Sequence, residues 1–223
     1  MTGIMPVFFL AGCAGSAVPQ TQEPVTQSVS LTAEAGNPDA LINDSGVSYD
    51  LPHIIKQRES SFGDNGCGGA AGLMALQAAG YLNEYDTDTE YTQFWNTVPK
   101  AADATAGFNG NGIWNPAYAD WLATFTEAKR VQGLSAEDIK GYLSDGNIVI
   151  VLVSLGETGK TTHWMTVTGW KITEGLLIFD VADPWSGTLH EYTAARLQRR
   201  MDEGAKRKGD FGAGYETDGV LVK

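Results

Sequence analysis

Cys67 stands where a glycine-rich approach, GDNG, meets a run of small and apolar residues, CGGAAGLMALQAAGYL. A thiol attacks as its thiolate. A helix N-terminus favours that form by aiming unpaired N–H groups and a partial positive charge at the sulfur. The same N–H groups suit an oxyanion. Taken alone, Cys67 is a small buried hydrophobe, and the remaining polar residues change that reading. His163 opens the strand-like HWMTVTGW directly after a loop, where an imidazole reaches a helix N-terminus facing a sheet. There it takes the thiol proton and later protonates the leaving group. An imidazole needs an acceptor to fix its tautomer, and IFDVADPW supplies Asp180 and Asp183 one strand and a turn later. Asp183 is preferred, because Pro184 stops the strand and leaves that carboxylate at the sheet edge. Gln57, ten residues before Cys67, offers a side-chain amide as second donor of an oxyanion hole.

These four residues need a helix and a sheet to bring them together. Leu73, Leu76 and Gln77 with Ala70 give an approximate helical period. Five glycines among residues 63 to 72 oppose it by propensity. Small side chains nevertheless suit a helix running through the middle of a domain, so a buried helix is expected. HIIKQ reads as a short strand or extended lead-in and SSFGDNG as a loop. Residues 88 to 98 and 115 to 126 read as further helices, the second opened by Asn115 with Pro116 in its first turn. AGFNGNGIW is a glycine-asparagine loop with aromatic edges. Ser135 and Asp138 resemble a capping pair for SAEDIKGYL. From Gly146 the texture turns β-branched and alternating: NIVIVLVSL, HWMTVTGWKI, GLLIFDVADP, GTLHEY and a terminal DGVLVK. Helices first and a mostly antiparallel sheet second indicate an α+β fold. YTAARLQRRMDEGAKRK reads as a solvated basic helix, with Arg196, Arg199, Arg200, Lys206, Arg207 and Lys208.

The chain has 223 residues, 43% hydrophobic, and suits one domain plus a tail. A net charge of −12 argues against nucleic acid as a partner, since phosphate contact needs a basic face. No Lys or Arg precedes Lys56. MTGIMPVFFLAGC ends in Leu10-Ala11-Gly12-Cys13 and resembles a bacterial lipobox, with Cys13 carrying lipid. A signal peptide normally opens on Lys or Arg, so a start upstream is expected. Residues 14 to 48, rich in Thr, Gln, Ser, Pro and Val, read as a flexible linker, and 49 to 223 as the folded domain. No apolar run reaches the ~18 residues of a spanning helix, so the membrane is met only through the anchor, in the cell envelope. With Cys13 lipidated, Cys67 is the one thiol of the domain and a disulfide framework is excluded. HEXXH, clustered metal spacings, a P-loop and a dinucleotide fingerprint are absent, so no cofactor is expected.

HIIKQ, CGGAAGLMALQAAGY, LSDGNIVIVLVSL, THWMTVTGW and IFDVADPWSG together resemble the papain-like cysteine peptidases of the bacteriocin-processing, double-glycine type, in their stand-alone branch. The resemblance covers about residues 49 to 193. It implies a helical lobe packed on a small sheet with the site between them, Cys67 as nucleophile, His163 as base, Asp183 as orienting residue and Gln57 in the oxyanion hole. The substrate it implies is a peptide or protein, cut by a thiol hydrolase. Three other readings share parts of this set: a cell-wall endopeptidase or amidase, transglutaminase-like chemistry, and an inactive module keeping a papain-like cleft.

Overall fold

A computed structural model describes residues 46–59, 62–81, 89–156 and 161–223. The lipobox with Cys13, and the linker up to residue 45, lie outside them. Among the described residues no helix is long and apolar enough to cross a membrane.

Helices α1 (Cys67–Ala78), α2 (Thr89–Asn96) and α3 (Ala117–Leu122) precede most of the sheet. After β1 (Val47–Ser48), the strands are β2 (Ala128–Gln132), β3 (Ile148–Ser154), β4 (Thr162–Thr173), β5 (Leu176–Asp183), β6 (Thr188–Thr193) and β7 (Asp218–Val222). Helix α4 (Ala136–Ser144) leads into β3, and α5 (Ala194–Asp210) joins β6 to β7. The sheet runs β2-β7-β3-β4-β5-β6, with β1 paired to β4, and each of these pairings is antiparallel. The α+β architecture expected from the change of texture at Gly146 is therefore present.

β3 lies inside the sheet and is buried at all seven positions, which is why IVIVLVS is apolar without alternation. On β4, the Thr166 hydroxyl donates to Ala71 O of α1 at 2.8 Å, while the Met165 sulfur meets Arg200 of α5. Neighbouring strand residues point to opposite faces. The two helices thus cover opposite faces of the sheet. α1 is buried from Gly68 to Ala78, as a helix that is apolar all round should be. Its glycines permit this: a Cβ on Gly69 would lie 2.7 Å from the Trp95 ring.

Several expectations need correction. HIIKQ forms no strand, which leaves it as the lead-in, and it ends in the 3-10 turn Gln57–Glu59, where the Gln57 N–H donates to Pro184 O. The helix expected over 115 to 126 is only Ala117–Leu122, with Pro116 as its N-cap. The Asn115 side chain accepts from Ala119 N and donates to Asp218 and Gly219 O, so it ties the helix start to β7. Nor is α5 simply a solvated face. Lys208 is buried against Asp218 at 3.0 Å, and buried Arg200 donates to Ser154 O and the Tyr192 hydroxyl. The Ser135–Asp138 pair does form a reciprocal capping box at α4.

Candidate active site

Cys67 is the first residue of α1 and is half-buried. The helix opens with no side-chain cap, so its first N–H groups are left for whatever lies at that end. Glycine backbone without side chains needs outside support, and two buried tyrosines supply it. Tyr91 of α2 donates to Gly66 O and Tyr118 of α3 to Gly68 O, both at 2.7 Å.

Opposite this end, the ladder sets the other groups. His163 sits second in β4, paired with Val153, and is 2% exposed. Its Nε2 lies 2.7 Å from Oδ1 of Asp183, the last residue of β5. The same oxygen accepts from Trp185 N at 2.9 Å, a bond that the turn after Pro184 makes possible. With Nε2 on the carboxylate, Nδ1 is the ring nitrogen left for the Cys67 thiol, which hydrogen-bonds to this ring. Asp180 is elsewhere: it pairs with Gly169 and faces Lys171 at 3.7 Å. Of the two aspartates, Asp183 is the one beside His163.

The electrostatics follow from this packing. Burial pushes the Cys67 thiol up, but the hydrogen bond and charge of His163, then the N–H groups of Trp164 and Gly68, bring it below its ordinary value. Burial opposes charge on His163. Hydrogen bonds to Asp183 and Cys67, together with their negative charges, still raise it from 6.5 to about 9. Asp183 is likewise pushed up by burial. The His163 bond and charge, the Trp185 N–H and the charge of Arg200 bring it below the usual carboxylate range. The shifts run together toward a thiolate against an imidazolium, itself held by a carboxylate.

Gln57 is fully buried beside the site, and its backbone N–H donates to Pro184 O at 2.9 Å. Its amide Nε2 donates to Gly63 O at 3.3 Å and Asp64 O at 2.9 Å. The side chain expected to serve an oxyanion is thus turned onto the loop that leads into Cys67.

A cleft of about 490 Å³ opens over Cys67 and His163. Trp114, Trp164, Trp185 and Phe211 line it with the 109–112 loop. The aromatic edges of that loop were visible in the sequence. Phe211, in a polar C-terminal turn, carried no signal. Among the described residues no group of three or more His, Cys, Asp or Glu is arranged to hold a metal.

The model of one family, described as the Peptidase_C39 like family, matches residues 50–204. No curated protein matches significantly. Among solved structures, the chain resembles a crystal structure described as a C39-like peptidase from Bacillus anthracis, with a TM-score of 0.54 and 15% identity. The match covers 79% of this chain and 97% of that one, and what the two share is the fold.

Proposed function

The chain belongs to the Peptidase_C39 like family, and from that premise we propose that it is a thiol-dependent peptidase working through Cys67, His163 and Asp183. The observation that carries the proposal is one chain of contacts. A cysteine at a helix start faces one nitrogen of a buried imidazole, and the other nitrogen lies 2.7 Å from a carboxylate.

In this reading the Cys67 thiolate attacks the carbonyl carbon of a peptide bond and the carbonyl electron pair moves onto oxygen. As the tetrahedral species collapses, the C–N bond breaks and the His163 imidazolium gives its Nδ1 proton to the departing amine. Neutral His163 then takes a proton from water, whose oxygen attacks the thioester and releases a carboxylic acid and the thiolate. Asp183 keeps the Nε2 proton in place throughout. The N–H groups at the start of α1 face the developing oxyanion. Gln57 is the second donor of this proposal, and it reaches the oxyanion by sharing or giving up a bond to Gly63 or Asp64. Residues 1–13 act as a lipoprotein signal and Cys13 as the lipid site, in the papain-like, stand-alone branch of the family; the expected linker serves as a tether only up to β1, since Val47 and Ser48 already pair with β4. The substrate is a peptide or protein outside the cytoplasm.

Cys67→Ala tests the core of this reading. It removes the nucleophile and little volume, so the variant should stay folded and lose all peptide cleavage. In the wild type, iodoacetamide should label Cys67 near neutral pH much faster than an ordinary thiol. Unchanged turnover in Cys67→Ala sinks the proposal.

A further inference from the structure

Phe211 is an anomaly for a water-facing turn: it is 64% exposed, yet it lines the cleft. Its ring lies 5.7 Å from that of Trp114, the two planes inclined at 42°. Phe211 also falls after residue 204, where the family match ends. This wall of the cleft therefore comes from a part of the chain that the family resemblance does not cover.

The two rings are in contact, and a buried polar link sets the elements that carry them. Lys208, three residues before Phe211, pairs with Asp218 at 3.0 Å, both side chains 1% exposed. The other oxygen of Asp218 accepts from Asn115, the neighbour of Trp114, at 3.0 Å. One carboxylate thus fixes the helix end that carries Phe211 and the loop end that carries Trp114. Paired and hydrogen-bonded on both oxygens, it holds the two rings together as one apolar wall.

Charge defines what fits against this wall. Among the described lining residues there is no Lys or Arg, and the one carboxylate apart from the reacting groups is Asp64. Arg58 neutralises it at 3.0 Å and lies with its guanidinium 4.7 Å over the Trp185 ring. The Asn109 side-chain oxygen Oδ1 accepts from the backbone N–H groups of Asn111 and Gly112. Among the described residues a charged side chain meets the reacting groups and the Asp64–Arg58 pair, whose charges offset each other, while an apolar one finds an aromatic wall and gains by leaving water.

We propose that Trp114 and Phe211 form a selectivity subsite of this enzyme, which takes an aliphatic or aromatic side chain of the peptide substrate close to the scissile bond. The proposal rests on the peptidase reading above. It adds the substrate class and assigns it to residues outside the Cys-His-Asp set.

The test is a random decapeptide library incubated with the full chain, with cleaved positions read by mass spectrometry. One position within three residues of the cut should be enriched in Leu, Ile, Met or Phe over Asp, Lys and Gly by about tenfold or more. Phe211→Ser changes an exposed residue and should leave the fold intact. It and Trp114→Ala should each flatten that enrichment to about threefold or less, while iodoacetamide still labels Cys67 at the wild-type rate. A cut library with no apolar position, or one whose apolar position survives both substitutions, overturns the subsite and leaves the peptidase reading standing. Slower Cys67 labelling in both variants also overturns it, because the rings would then act on the thiol. A library left uncut by the wild type defeats the peptidase reading and the subsite with it.

Discussion

The two sides of the cleft hold their reactive groups by different means. On the sheet side, His163 and Asp183 are placed by backbone register: β3 pairs with β4 and β4 with β5, and side-chain direction follows from alternation. On the helical side, Cys67 rides on a glycine-rich backbone whose carbonyls are gripped by side chains from other elements, Tyr91, Tyr118 and Gln57. A ladder spreads positional error over many bonds; a grip concentrates it in one hydroxyl or amide. The base and its carboxylate should accordingly tolerate changes in their surroundings, and the nucleophile should be sensitive to single distant atoms.

The sharpest way to break this contrast is to remove a group on the sheet side. Asp183→Ala at matched folded fraction should lower turnover by up to ~10⁴-fold on the precedent of catalytic triads. Asp183→Asn should lose less, since an amide oxygen still accepts the Nε2–H. Asp180→Ala should leave turnover close to wild type, because that carboxylate faces Lys171 and not the imidazole. A severe defect in Asp180→Ala beside a mild one in Asp183→Ala would mean that register does not place the carboxylate.

That ladder was the part most legible in the sequence. β3, β4 and β5 announce themselves as β-branched runs, so His163 at a strand start and Asp183 before Pro184 follow from local pattern alone. α1 was legible for a similar reason, its small residues implying close neighbours. What escaped depends on partners far away in the chain. β2, AKRVQ, is a partly exposed edge strand that pairs with β7 some ninety residues on, and its charges hide it. Arg200 and Lys208 look like surface cations until Ser154 and Asp218 are brought beside them. The direction of the Gln57 amide depends on a loop shape that no propensity encodes.

A smaller effect sharpens the electrostatic half of the comparison. His163 is held charged to about pH 9, and loss of that proton removes the acid that frees the amine. Peptide cleavage should therefore fall as pH rises through about 9. Iodoacetamide labelling should not, since the thiolate survives the loss of the ring proton. Asp183→Asn deletes the carboxylate charge and weakens the hydrogen bond that raises the ring, so the alkaline limb should move to lower pH. An unmoved limb would assign it to some group other than His163.

The finest test sets two hydroxyls on α1 against each other. Tyr118 donates to Gly68 O, next to Cys67, and Thr166 donates to Ala71 O, one turn further on; both donors are fully buried. Tyr118→Phe and Thr166→Val should each cost about 1 kcal/mol of stability, the ordinary worth of one such bond. Their effects on the thiol should differ. The Tyr118 phenol is held well above its usual value, by burial first and by the charge of Cys67 next, so it lies within the field of the sulfur. Removing it frees the Gly68 carbonyl, and with it the orientation of the Gly68 N–H that helps to lower the thiol. Iodoacetamide labelling at pH 6 should slow by about threefold in Tyr118→Phe, a loss of well under 1 kcal/mol in thiolate stabilisation. It should stay unchanged in Thr166→Val, whose bond anchors the helix body to the sheet without touching its first turn. Equal slowing in both variants would show that the helix moves as one rigid piece, and the grip on Cys67 would then belong to the sheet after all.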